Sequence, residues 1–227
     1  MLKLFWKQKE TKNVSVVFLL FNFAAQMEKE NRIIQGALDL FIRMGVKSVN
    51  MDDVARHLGI SKKTLYQHVS NKEDLVEKSF SHHHCCMKQM IEGICKKHEN
   101  AIDEIFEIDE RVCETMKCNH PSLLVNLKRY YPKVWGFMDD LKKKSIFKTM
   151  KNNLERGVKQ GLYRADIDPD IIAKFMINRV DALINEELFP LTEYDFRQLL
   201  KENRVYHIRG IATPKGIEYL EQKLKND

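Results

Sequence analysis

Lys62, Lys63, Thr64, Tyr66 and His68 stand close together in one short stretch, and Lys72 follows soon after. These side chains suit the grooves and phosphates of double-stranded DNA better than chemistry on a small molecule. The ammonium groups of Lys62 and Lys63 can donate to guanine O6 and N7 or to phosphate oxygens, and the spacing leaves both readings open. Thr64 offers a hydroxyl for a polar contact and a methyl that matches a thymine methyl. Tyr66 and His68 are better placed for phosphate contacts, and Lys72 is a further phosphate anchor. A helix beginning near Asn50, and another near Asn71, would present backbone N–H groups to phosphate. Taken singly these residues say little. A lysine pair is usually a solvated surface pair, and a lone tyrosine is usually a packing residue.

The elements around them give the group its meaning. Ile33, Ile34, Ala37, Leu38 and Phe41 recur on one face and predict a helix over Glu30–Met44, stopped by Gly45. Asn50 is a plausible N-cap for a second helix, with Asp53 three residues on in a capping-box arrangement. Val54, Ala55 and Leu58 face its core, Gly59 makes a tight turn and Ile60 plugs the inside. Ser61 caps a third helix that carries Lys62 and Lys63 outward and Leu65 and Val69 inward. The spacing from Ala55 to Gly59 and Ile60 within such a pair is a helix-turn-helix cue. The exposed N-terminal end of the third helix would enter the major groove. Asp52, Asp53, Glu73 and Asp74 offset the nearby lysines, so binding would rest on a few placed contacts and on doubling by dimerisation.

The whole chain agrees with this frame. It has 227 residues, with 5 Pro and 9 Gly, and its apolar residues repeat at three and four; an all-α chain is expected. The net charge of +6 fits a polyanion binder without proving one. Five cysteines without an evident export signal read as reduced thiols in the cytoplasm. Residues 1–26 differ from the rest: a basic start precedes an apolar run from Val14 to Ala25, too short to cross a bilayer that needs about 20 residues. The preferred reading is a start at Met27 behind a mis-assigned upstream stretch; an extra helix or β-like arm and an export or membrane segment are the alternatives.

Beyond Asn71 the chain reads as a helical bundle. A long helix starts at Lys72 and runs towards Cys95. Helices over Ala101–Cys118, Ser122–Tyr131, Lys133–Gly161 (one or two), Asp170–Phe189, Asp195–Gly210 and Pro214–Leu224 follow. The expected division is 1–26 as an extension, 27–78 as the helix-turn-helix domain and 79–227 as a ligand-binding and dimerisation domain. The basic run Lys142, Lys143, Lys144, Lys148 and Lys151 reads as a solvated face, with an anionic ligand or membrane contact as the other reading. The cluster His82, His83, His84, Cys85 and Cys86 holds zinc- or copper-type ligands, but neighbours on a helix diverge, so at most two of the five share a metal. Buried thiols are the ordinary reading, and a redox sensor would need an exposed, low-pKa thiol. No Gly-rich phosphate loop, HExxH or nucleophile elbow is present, so no enzyme is expected. Neither a cofactor nor a structural metal is expected.

The stretches ALDLFIRMG (Ala37–Gly45), VNMDDVARHLGIS (Val49–Ser61) and KKTLYQHVSNKEDL (Lys62–Leu75) resemble the DNA-binding domain of the TetR family of bacterial transcriptional regulators over about Glu28–Phe80. The family's usual Phe after the histidine is Val69 here. The resemblance implies that Lys62, Lys63, Thr64, Tyr66, His68 and Lys72 face DNA, and that Asn50 and Met51 approach the backbone or groove. More loosely, LERGVKQGLYRADIDPD (Leu154–Asp170) resembles the junction before the helix that joins two subunits. It implies Ile171, Ile172, Phe175, Met176, Val180, Leu183 and Ile184 as core or dimer-interface residues. The tail GIATPKGIEYL, from Gly210, resembles that of some members. The expectation is therefore a homodimeric repressor on a near-palindromic operator, released by an apolar small-molecule effector in the bundle. Met87, Met90, Phe106, Phe137 and Met138 are weak candidates to line that effector's site and are better read as core. The alternatives are a DNA-bound partner-recruiting protein without a ligand, and a metal- or redox-sensing regulator using the His/Cys cluster.

Overall fold

The computed structural model describes residues 26–117, 123–185, 187–190 and 192–225. The run from Met1 to Ala25, and with it the question of the start at Met27, lies outside them. Among the described residues ten helices follow in order: α1 (residues 26–44), α2 (Met51–Leu58), α3 (Lys62–Leu65), α4 (Lys72–Lys97), α5 (Ala101–Lys117), α6 (Leu123–Tyr130), α7 (Pro132–Lys159), α8 (Pro169–Leu183), α9 (Phe196–Ile211) and α10 (Pro214–Leu224). Among the described residues the only β pairing is an isolated antiparallel bridge between Tyr163 and Ala212. The all-α expectation holds.

Contacts divide the chain into two compact units that meet between His82 and His83, so α4 begins in the first and ends in the second. In the first unit, the inward face of α1 contributes Ile33, Ile34, Ala37, Leu38 and Phe41. They are buried with Val46, Val49, Val54, Ala55, Leu65, Val69, Leu75, Val76 and Phe80. Burying that apolar surface is the main force holding α1, α2 and α3 together, since α2 and α3 are too short to be stable alone. Ser79 is also buried and donates to the Ile34 carbonyl at 3.3 Å.

The second unit is built on α5, α7, α8, α9 and α10. Its main cluster includes Ile102, Ile105, Phe106, Leu154, Ala173, Met176, Ile208 and Leu220. Leu162 and Tyr163 pack into it from the α7–α8 junction. A Cβ on Gly157 would lie 2.1 Å from the Tyr163 ring, so only glycine lets that tyrosine lie on α7. The Tyr163 hydroxyl donates to Asn153 Oδ1 at 3.2 Å, and Asn153 Nδ2 donates to Glu104 Oε1 and to the Ala101 carbonyl, each at 2.8 Å. Arg156 completes this buried set by pairing with Glu104. A buried carboxylate persists only when paired and hydrogen-bonded in this way.

A second polar layer crosses α5, α8 and α9. Arg204 stands 3.8 Å from Asp109 and stacks 3.8 Å from the Phe106 ring centroid. Arg179 donates to His207 Nδ1 at 3.4 Å and to the Asn203 carbonyl at 2.8 Å. Burial pushes the Asp109 carboxyl up to about 7, against the opposing pull of Arg204. Burial, helped by Arg179, pushes His207 down to about 4. Beyond this layer sits a smaller apolar cluster of Cys113, Leu183 and Leu200.

One expectation is narrowed here and one changes. The stretch expected to hold one or two helices forms the single helix α7, Pro132–Lys159, started by Pro132 at its first turn, where a missing N–H costs nothing. The helix capped by Asp168 ends at Leu183 instead of reaching Phe189. Past it, Asn185 captures the chain: its side chain accepts from Glu187 N at 3.0 Å and its carbonyl from Phe189 N at 2.8 Å. The local hydrogen bonds of Asn compete with the helix and win.

Candidate nucleic-acid interface

The first unit positions its polar surface through three caps. The Asn50 side chain accepts from Asp52 N at 2.9 Å and Asp53 N at 3.0 Å, and Asp53 accepts from Asn50 N at 2.9 Å, a complete capping box. At the other end of α2, Gly59 takes φ 65°, and Ile60 N donates to the Ala55 carbonyl at 3.0 Å. This left-handed cap turns the chain sharply without a Cβ penalty. Ser61 then accepts from Thr64 N at 3.0 Å and starts α3.

The α3 helix is short. It makes one regular turn, and the chain continues through Gln67 N to the Thr64 carbonyl (3.2 Å) and His68 N to the Leu65 carbonyl (3.0 Å). Leu65 and Val69 are its buried anchors, so the intervening residues are forced outward. Lys62, Lys63 and Tyr66 are exposed, Tyr66 at 45%, and Thr64 and His68 are half-buried. The α4 start is fixed against this turn. Asp74 N donates to Asn71 Oδ1 at 2.9 Å, and Lys78 donates to the His68 carbonyl at 2.9 Å and to Glu30 at 3.1 Å. Lys78 thereby joins α1, the end of the α3 turn and α4. Its spacing four residues after Asp74 was the available signal, and the sequence reading passed over it.

The expected contact residues are not equivalent. Lys62 donates to Asp52 Oδ2 at 3.1 Å, and this bond and the carboxylate's charge hold its ammonium above the ordinary lysine range. Asp52 was overlooked as a partner because ten residues of chain separate the two. Lys63 forms no ion pair with a described residue. The Thr64 hydroxyl lies 2.8 Å from Ser61 Oγ, which leaves its methyl as the uncommitted part. The Asn50 side chain is occupied in capping. Met51 is 8% exposed, so its side chain belongs to the core and only its backbone remains to approach a ligand. Lys72 is half-buried, and burial moves its ammonium below the usual range, with Asp53 opposing.

The family model for bacterial regulatory proteins of the tetR family matches residues 33–78, the span that holds this surface. Residues 33–78 carry the DNA-binding domain of the TetR family of bacterial transcriptional regulators. It is 30% identical over 92 residues to IcaR of Staphylococcus epidermidis, the biofilm operon icaADBC HTH-type negative transcriptional regulator; the match covers 36% of this chain and 48% of IcaR. The chain thus spans about half the length of that relative. YhgD of Bacillus subtilis, an HTH-type transcriptional regulator, matches more broadly, at 25% identity over 82% of this chain and 98% of its own. The fold is that of the transcriptional regulator FadR from Bacillus subtilis, solved with stearoyl-CoA: TM-score 0.63, 16% identity, 79% of this chain and 98% of that one. The relatives found are regulators of transcription, not enzymes.

Other expected residues in the TetR-like body fall into different places. The basic run of α7 is largely neutralised: Lys142 bridges Asp139 (3.1 Å) and Asp181 (2.6 Å), Lys143 meets Asp139 at 2.5 Å, and Lys151 meets Asp170 at 3.0 Å. Of the α8 residues, Met176 and Leu183 are buried, whereas Ile171 and Phe175 are exposed, Phe175 at 58%. Phe106 is core, but Phe137 is 50% exposed and lines no interior. The described residues hold no group of three or more metal ligands that could share an ion, and no described helix is long and apolar enough to cross a membrane.

Proposed function

We propose that this chain is a cytoplasmic repressor that binds a near-palindromic operator as a homodimer and is released by a small-molecule effector. The observation that carries the reading is the exposed row of Lys62, Lys63 and Tyr66, set on a short helix whose other face is locked by Leu65 and Val69. Lys63, exposed and without an ion-pair partner among the described residues, is the first phosphate anchor. Lys62 reaches a guanine edge or a phosphate by exchanging Asp52 for it. The Thr64 methyl meets a thymine methyl, Tyr66, His68 and Lys72 contact phosphate, and Asn50 and Met51 contribute backbone at the α2 start.

Dimerisation is supported by the exposed apolar side chains of α8 and α9, Ile171, Phe175 and Tyr206, the last 75% exposed. Two recognition helices about 34 Å apart then meet successive major grooves. Residues 79–227 would hold the effector. The stearoyl-CoA bound by FadR, which shares the fold, supports a small molecule in that role, and the effector acts by favouring one dimer geometry over the other. No cofactor is needed.

Fluorescence anisotropy with DNA flanking the protein's own gene tests the proposal. Site-selective binding with two protomers per site is expected. Equal affinity for operator and scrambled duplex would overturn it.

A further inference from the structure

α4 is fully buried only towards its two ends; between them Met90 and Ile91 are partly buried against the second unit's core and Thr115 donates to Met87 Sδ at 3.8 Å. Phe80 is buried in the first unit and Ile94 in the second, and every α4 residue from Ser81 to Gly93 is half-buried or exposed. The adjacent thiols Cys85 and Cys86 lie in this span, both exposed and neither in a disulfide. The other described cysteines are protected. Cys113 is buried, and burial together with Glu104 pushes the Cys95 thiol up to about 11. Thiol chemistry at the surface of the described residues is therefore confined to one adjacent pair, on the helix that belongs to both units.

We propose that Cys85 and Cys86 are an oxidation site for peroxides, and that oxidation breaks α4. The Cys85 thiolate attacks hydrogen peroxide; the S–O bond forms, the O–O bond breaks and hydroxide leaves, giving a sulfenic acid. Cys86 sulfur then attacks that sulfur. The S–S bond forms, the S–O bond breaks, and the departing hydroxide takes the Cys86 proton as water. Two thiols lose two electrons and one peroxide becomes two waters.

The product does not fit a helix. Adjacent Cα atoms are about 3.8 Å apart, below the roughly 4.4–6.8 Å usual for a disulfide, and helical neighbours point about 100° apart. Closing the ring therefore requires the backbone at 85–86 to leave the helix. With no buried side chain between Phe80 and Ile94, local opening there is cheap compared with the same change in α5 or α7. The DNA consequence rests on the operator-binding reading; the thiol chemistry and the helix loss do not.

The full-length protein, reduced and then treated with a small excess of hydrogen peroxide, tests this. Peptide mapping after alkylation should show one peptide carrying Cys85 and Cys86, two hydrogens lighter and unalkylated. Circular dichroism should lose at least about one turn of helix, and operator affinity should fall roughly tenfold or more. Dithiothreitol should restore both. Cys85→Ser and Cys86→Ser should each keep helix and affinity under peroxide. Alkylatable thiols at both positions after treatment, a disulfide between protomers, or a vicinal disulfide with unchanged helicity would each overturn the inference. Failure of the reduced protein to bind any operator would sink the functional reading alone, because mass and helicity still score the thiol pair.

Discussion

Replacing Lys63 by Ala separates the roles of the two adjacent lysines. Lys63 makes no ion pair with a described residue, so nothing within the fold depends on it, and stability should stay within about 0.5 kcal/mol. Its effect should appear in the salt dependence of DNA binding. Each phosphate neutralised by a lysine releases condensed counterions and adds about 0.9 to the slope of log K against log salt. In a dimer the substitution removes two contacts, so the slope should become shallower by about 1.8. Between 50 and 200 mM salt, the advantage of the unaltered protein should shrink by about twelvefold, against about 3.5-fold if only one copy touched DNA.

The assay is an anisotropy titration of operator and scrambled duplex at four salt concentrations, run beside Lys62→Ala and Asp52→Asn. Lys62 exchanges one anion for another on binding, so its removal should change the slope less than removal of Lys63. Asp52→Asn removes the competing carboxylate and should raise affinity on both duplexes. An unchanged slope for Lys63→Ala, with discrimination between operator and scrambled DNA lost, would refute the phosphate assignment and make Lys63 a base reader.

Glu104→Ala leaves Arg156 and Asn153 without their shared acceptor in a buried site; it should cost about 3–5 kcal/mol in urea denaturation. Asp109 and His207 should bend the pH–stability curve in opposite directions. The carboxyl of Asp109, raised from 3.8 to about 7, lends stability at low pH that is lost as pH rises through 7. The lowered imidazole of His207 lends stability above 6.5 that is lost as pH falls through about 4. Between these limits the slopes oppose, so Asp109→Asn should expose a curve rising with pH, and His207→Gln a falling one; identical curves for both variants would refute the assignment. Phe175→Asp places a charge on the exposed α8 face and should shift sedimentation from dimer to monomer, with operator affinity lost in parallel.

The first unit was legible because its signals are local. The capping box of Asn50 and Asp53, the left-handed Gly59 and the buried spacing of Ile33 through Phe41 each act within a turn or two of helix. What the sequence left hidden depends on contacts across the fold. Nothing in the chain order says that Asp52 holds Lys62, or that Lys142 and Lys143 spend their charge on Asp139 and Asp181. The expected α8 helix runs six residues past the observed end because Ile184, Leu188 and Phe189 keep a helical i, i+4, i+5 apolar spacing. The Asn185 side chain decides against the helix there, and its competing hydrogen bonds carry no periodicity. Met51 shows a related limit: a first-turn position suggests the surface, yet its side chain is buried in the core of the first unit.

The distribution of partners has a consequence for how such a surface can be switched. Lys62 is engaged by Asp52, and Lys78 by Glu30 and Asp74. Arg56 stands 3.8 Å from Asp53. Part of the positive charge near α3 is thus already paired, so a broad attractive field is not what would hold DNA. A broad field tolerates displacement, because its energy changes slowly over a Debye length of about 8–10 Å. Contacts made by a few short-range groups do not: a hydrogen bond moved by 1 Å is largely gone. With the same few contacts repeated in a second copy, a change in the spacing of the two α3 helices breaks one whole set while leaving the other intact. Affinity would then fall by the contribution of a half-site. An effector would need to favour the altered spacing by only a few kcal/mol to bring that about.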